Sequence, residues 1–375
     1  MAEQKEWRVL VINPGSTSTK IGVFEGEREV FTQNIAHEAA KLATFPTITD
    51  QMPFRRDMIL SALAENGIEL SQVDAFVGRG GGLLPLEGGT YRINSVMLDH
   101  AQRGANGVQH PAQLGPQLAH EFAQFVHPDA GRGFVVNPPD TDELCDDARM
   151  TGIRGVYRNV HLHALNLKET AIRHAKSEGR AYEDCNFIVC HIGGGISVSA
   201  HHHGKMVDGY DIVGGEGMMA PTRCGFVPVA EVLNYLEAGH TTKEARALCM
   251  KTGGFVDLLG TSDAREVCER AAAGDEAAAR AWNALLYQLD KYIGSMATVL
   301  GGKVDAILLG GGMVHNEELV QSVTDNCGWI APVVAYPGEF ELEAMAAGAN
   351  RVLDGEEEAK EYTGVPVFQG FDCFA

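Results

Sequence analysis

Two stretches decide the fold: VLVINPGSTSTKIGVFEG, from Val9 to Gly26, and FIVCHIGGGISVSAHHHGKMVDG, from Phe187 to Gly209. Each runs from an apolar β-rich segment through a turn of glycine and small residues into a second β-rich segment, then another glycine turn. A tight turn between paired strands exposes backbone N–H groups, and glycine lets a phosphate approach them closely. One such turn says little. Two of them, opening the two halves of one chain, predict a duplicated domain that holds a nucleotide between its copies.

Outward from the first stretch, residues 7 to 36 read as a three-stranded meander with Gly15 and Gly26 at its turns. A helix is expected over Pro53 to Asn66, a strand over Val73 to Gly78, interrupted helix over Asp99 to His127, and a strand over Gly133 to Val136. Val160 to Ser177 reads as a helix linking the halves. After the second stretch come helices over Pro228 to Leu236, Thr241 to Thr252 and Ala264 to Leu300. The chain then gives strands over Val304 to Leu309 and Val333 to Tyr336, and a helix over Glu339 to Leu353. The acidic run from Asp354 to Tyr362 reads as a solvated helix face or tail. This β-β-β-α-β-α alternation, seen twice, predicts α/β halves with helices outside a mixed sheet. The expected division is 1–170 and 171–375, with the last helix free to pack back on the first domain. In such sheets ligands gather where loops leave the carboxyl ends of strands.

The composition excludes several functions. Thirty basic residues against fifty acidic ones leave a net charge of −20, which argues against binding nucleic acid or an anionic membrane. The eight cysteines form no CxxC pair and read as reduced thiols. The opening MAEQKEWRVL lacks the apolar core of a signal peptide, and no apolar run reaches the ~18 residues of a membrane span. A cytoplasmic protein is expected. A GxxxxGK[ST] loop and a strand-to-helix GxGxxG are both missing, so neither a P-loop nor a Rossmann site is expected.

Asn13-Pro14-Gly15-Ser16-Thr17-Ser18-Thr19-Lys20 offers hydroxyls and one charge to phosphoryl oxygens. The turn resembles the first phosphate loop of the acetate and butyrate kinase family, within the actin, Hsp70 and sugar-kinase superfamily. The resemblance extends through GRGGGLLPLEGGTYRIN (78–94), LHALN (162–166), HIGGG (191–195), PTRCG (221–225), LGGGMVHNEEL (309–319) and YPGEFELEAMAAGA (336–349). It implies two ribonuclease-H-like, actin-type ATPase domains with a nucleotide cleft between them. The first carries a phosphate loop and the carboxylate side; the second carries the other phosphate loop and the adenosine loop. It further implies Asn13, Arg79, His163 and Arg223 as catalytic groups, with His161 a bystander. Ser16, Ser18, Lys20, Gly193, Gly194 and Gly195 are implied to hold substrate and phosphates, and Gly310, Gly311 and Gly312 the adenosine. Magnesium is implied at Glu341, with Glu343 one helical step away. Where relatives carry Asp, this chain has Asn137, and Asp140 or Asp142 is the implied replacement; Asp142 also matches an acidic position of the butyrate branch.

The implied reaction is reversible, magnesium-dependent phosphorylation of a short-chain carboxylate by ATP. Phe226-Val227-Pro228 after the TRCG motif is more apolar than the acetate kinase pattern. Each buried methylene is worth about 0.8 kcal/mol, so butyrate or a branched acid is expected ahead of acetate or propionate. A non-catalytic ATP switch of the Hsp70 or actin type is the alternative from another class; it needs no carboxylate-binding arginines. Cys224 reads as a packed thiol. His201, His202 and His203 read as a solvent-exposed turn rather than a metal site, because neighbouring strand residues face opposite ways. The apolar segment Val299 to Leu309 is expected to support a homodimer or larger assembly.

Overall fold

A computed structural model describes residues 6–374. Its strands are β1 (Arg8–Pro14), β2 (Ser18–Glu25), β3 (Arg28–Ala36), β4 (Ala75–Gly78), β5 (Thr90–Arg92), β6 (Gly133–Val136), β7 (Asn186–Ile192), β8 (Ile196–His202), β9 (Lys205–Asp208), β10 (Ala306–Gly311), β11 (Val333–Pro337) and β12 (Lys360–Glu361). They form two sheets, ordered β12-β5-β6-β4-β1-β2-β3 and β11-β10-β7-β8-β9. β1 and β7 each pair antiparallel with the next strand and parallel with a strand reached through helices, β4 or β10. The meander plus parallel extension is thus built twice.

The chain divides into two compact units: one runs to Thr141 and takes back Phe340–Gln369, and the other holds Asp142–Glu339 and the residues from Gly370 on. The boundary differs from the expected one at residue 170. The helix that was to link the halves, Ala164–Ser177, packs on β7 and β10 and lies wholly in the second unit.

In the first unit, Val9 to Ile12 are completely buried. A continuous apolar strand of this kind is what burial on both faces demands. The helix Glu341–Leu353 packs on β1, while Leu10 and Ile12 meet Leu114, Leu118 and Phe122. In the second unit, Leu285, Leu289, Ile293 and Met296 of the helix Glu276–Val299 follow helical spacing and are buried with Phe187, Val189 and Val198.

Six local expectations change. Helix begins at Ala164, not Val160, and the backbone of His163 is non-helical. The stretch Ala264 to Leu300 is two helices, Ala264–Ala272 and Glu276–Val299, because the Asp275 side chain caps the second by accepting from the Ala277 and Ala278 amides. A helix absent from the sequence reading, Glu317–Cys327, starts where Asn316 accepts from Leu319 N. Residues 354–362 form no helix: β12 pairs with β5, and the buried Tyr362 hydroxyl accepts from Leu84 N and bonds His100. His201 is not in an exposed turn but fully buried between Tyr182 and Ser199, and burial holds its pKa well below the usual value. Of the segment Val299 to Leu309, expected to support self-association, Ala306 to Leu309 are buried in the interior strand β10, and Gly301 to Lys303 are an exposed turn.

Candidate active site

In the first unit, β1 and β2 place Asn13 directly opposite Lys20. Ser16, Thr17 and Lys20 are exposed and Ser18 is half-buried. The turn closes through Gly15 N donating to Ser18 O at 2.8 Å, and the amides of Ser16 and Thr17 have no backbone partner. The Asn13 amide donates to Glu341 at 2.8 Å, and Arg79 lies 3.9 Å from the other oxygen of that carboxylate. Asn13, Arg79 and Glu341 therefore form one cluster.

Arg79 reaches it because β4 ends against the helix Leu114–Val126. A Cβ on Gly78 would collide with the Gly115 backbone, and one on Gly115 would lie 2.7 Å from Arg79 N. The Arg79 guanidinium is buried and one terminal nitrogen has no hydrogen-bond partner. Burial pulls its pKa down, with Glu341 and then Asp140 acting in opposition.

Asn137 does a structural job. Its φ of 37° lies in the left-handed region that asparagine tolerates, and it exchanges hydrogen bonds with Gly89 at 2.7 and 3.0 Å. Asp142, in the second unit, is buried in a two-pronged ion pair with Arg149 at 2.7 and 2.9 Å and also accepts from Leu144 N. With both oxygens engaged, it is a poor magnesium ligand, contrary to the expectation.

In the second unit, the β7–β8 turn is Gly193-Gly194-Gly195, and the amides of Gly194 and Gly195 have no backbone partner. Gly194 O accepts from both the amide (3.1 Å) and the hydroxyl (2.8 Å) of Thr222, tying the TRCG segment to the turn. Gly195 leaves room for Arg223: a Cβ there would run into the Arg223 guanidinium, which would have to move. Two Arg223 nitrogens are buried without a partner. Burial lowers its pKa, opposed by Asp211 and then Tyr210. His163 stacks on His191 with ring centres 4.1 Å apart. Ser197 Oγ accepts the His163 amide at 3.2 Å and bonds Nδ1 at 2.8 Å. A Ser197 hydroxyl that donates to Nδ1 corresponds to the Nε2–H tautomer, and one that accepts from it to the Nδ1–H tautomer. His161 pairs instead with Asp211 at 3.1 Å.

A cavity of about 740 Å³ is lined by Gly193 and Gly194, by Gly312 and Asn316 after β10, and by Arg265 and Trp282. Of the expected adenosine glycines, only Gly312 reaches it. Gly310 and Gly311 sit inside β10, where a Cβ on Gly311 would strike the Ile192 backbone. Arg265 and Trp282 were missed. The one available signal was TSDAREV (261–267), where Asp263 caps a helix by accepting from Arg265 N. Phe226 is 65% exposed. Val227 lines a second cavity of about 550 Å³ with Tyr235, Leu236, Leu248, Cys224 and Cys249.

The acetokinase family model matches residues 155–327. A probable butyrate kinase of Clostridium botulinum is 44% identical over 95% of this chain and 99% of its own length. Butyrate kinase 1 of Clostridium acetobutylicum is 42% identical over the same shares. The crystal structure of Porphyromonas gingivalis acetate kinase superposes with a TM-score of 0.75, covering 92% of this chain and 100% of that one at 20% identity. The fold is therefore the two-domain, actin-type α/β fold that the family resemblance implied. A full-length relationship at this identity places the chain in the acetokinase family.

Proposed function

We propose that this protein transfers the γ-phosphoryl group of ATP to the carboxylate of butyrate, giving ADP and butanoyl phosphate, and runs readily in reverse to make ATP. The observation that carries the reading is the 44% identity to a probable butyrate kinase along 95% of the chain. Two arginines with buried, unpartnered guanidinium nitrogens, Arg79 and Arg223, support it. A guanidinium fork suits a carboxylate or an acyl phosphate, and an ATP switch has no use for two of them.

The attacking group is the substrate's own carboxylate, already ionised at neutral pH, so no general base is required. One carboxylate oxygen bonds to the γ-phosphorus as the bond to the bridging oxygen breaks, and that electron pair leaves with ADP. Phosphoryl transfer needs mainly position and charge neutralisation from the protein. Arg79 orients the carboxylate, Arg223 neutralises oxygens of the moving group, and His163 donates to it from Nε2–H. Ser16, Ser18 and Lys20 hold the transferred phosphoryl, the amides of Gly194 and Gly195 cradle the β-phosphate, and adenosine occupies the cavity beside Gly312.

Glu341 and the Asn13 side-chain oxygen form an all-oxygen donor set, which fits a magnesium ion bound by few protein ligands and several phosphate oxygens. Bound there, the ion screens phosphate charge. A cytoplasmic homo-oligomer belongs to the same reading; exposed Val229 and Leu233 are the apolar surface it would cover.

The test is an incubation with ATP, magnesium, butyrate and hydroxylamine. Butyrohydroxamate and ADP in equal amounts are expected. Slow ATP hydrolysis that butyrate does not change, with no hydroxamate, contradicts the reading and favours the switch.

A further inference from the structure

Beneath the first glycine turn lies a charge that the reaction scheme does not use. Arg55, on the helix Met52–Glu65, is completely buried. Its guanidinium donates to Ser18 O at 3.0 Å, to Thr19 Oγ1 at 3.0 Å, and through two nitrogens to Gln51 Oε1 at 3.1 and 2.9 Å. Every one of these acceptors is neutral. Among the described residues no carboxylate lies within ion-pair distance of it. A buried cation normally carries a counter-ion, because losing water without one is costly. Burial lowers the Arg55 pKa only to about 10, so it stays charged at neutral pH.

The two Ser18 contacts explain why the position tolerates that cost. Ser18 O takes Gly15 N from one side and Arg55 from the other. The Ser18 carbonyl is thus held from both sides, while Ser16 and Thr17 are exposed and their amides have no backbone partner among the described residues. His37 completes the support, bonding Thr19 Oγ1 at 2.8 Å.

We infer that Arg55 is a positioning residue for phosphoryl transfer: it pins the Gly15–Thr19 turn and places an uncompensated buried positive charge beneath it, which the bound phosphoryl group neutralises. The inference rests on the acyl-kinase reading for which phosphoryl group is bound, but its binding arm needs no turnover.

Gln51→Glu is the decisive variant. It keeps the guanidinium contacts and converts the neutral acceptor into a carboxylate, so the charge is neutralised while the pin remains. Expected are an equal or higher Tm, an ATP dissociation constant by calorimetry raised about tenfold, and a similar rise in KM for ATP, a tenfold change being about 1.4 kcal/mol. A folded Gln51→Glu protein with unchanged ATP affinity overturns the charge role. Arg55→Lys, which keeps charge but loses the fork, should retain ATP affinity and lose kcat about tenfold; unchanged kcat overturns the pinning role. Arg55→Met should lose both, and if it does not fold, the other two variants decide. A wild-type protein that binds ATP but makes no acyl phosphate defeats the acyl-kinase reading and leaves the ATP-affinity comparison standing.

Discussion

Arg79 and Arg223 share a condition: Arg79 is buried and Arg223 half-buried, each keeps at least one buried guanidinium nitrogen without a partner, and burial pulls the pKa of each down. Buried polar atoms left without partners call for a use other than stability. Arg79→Ala and Arg223→Ala should each lower kcat/KM about 10²–10³-fold, the effect of removing one charge-stabilising donor, with Tm nearly unchanged. Near-normal rates in either would remove its assigned role. Asn137 belongs to the opposite class. Its positive φ and paired bonds to Gly89 predict that Asn137→Ala costs about 1–3 kcal/mol of stability. Asn137→Asp keeps the acceptor and should change kcat little; denaturant unfolding and steady-state rates separate the two effects. His37 adds a pH term. Burial, and then the Arg55 charge, lower its pKa from 6.5 to about 4. The unfolded chain takes up a proton that the folded one refuses, so this contribution is present above pH 6.5 and is lost as pH falls toward 4. His37→Gln should therefore lose less Tm between about pH 7 and pH 4.5 than the unsubstituted protein.

At the scale of elements, the glycine turns carry the geometry. Gly195→Ala should displace the Arg223 guanidinium, so kcat should fall as in Arg223→Ala while circular dichroism stays unchanged. The turns were legible because glycine, hydroxyl residues and flanking β-branched residues all point the same way there. The β1–β2–β3 and β7–β8–β9 meanders followed directly. What was not legible had tertiary causes. β12 is an acidic edge segment whose local composition favours solvent; it becomes a strand because Tyr362 is buried against Leu84 and His100. The break before Glu276 was readable from Gly274-Asp275, a turn followed by a cap, but alanine-rich flanks masked it. Asp142 looked like a spare ligand until Arg149, seven residues on, took both its oxygens. Tyr362→Phe tests the edge strand: loss of two hydrogen bonds at a buried hydroxyl should cost about 1–3 kcal/mol in denaturant unfolding.

For the whole molecule, duplication is the feature from which the rest follows. The same meander carries a glycine turn between its first two strands twice; in the first unit a loop arginine, Arg79, stands by Glu341 and Asn13, and in the second Arg223 stands against Gly195 of the turn itself. The proposed acyl-kinase reading gives such a pair its chemistry, while chain length is set by pocket walls that sequence pattern alone does not resolve; Phe226, in the apolar segment that favoured a longer acid, is mostly exposed. The most direct test is therefore kcat/KM for acetate, propionate, butyrate, isobutyrate and valerate, with ATP and magnesium held saturating and acyl phosphate trapped as hydroxamate. A maximum at four carbons is the predicted result. A maximum at acetate would contradict the butyrate assignment, and no acyl phosphate from any acid would contradict the kinase itself.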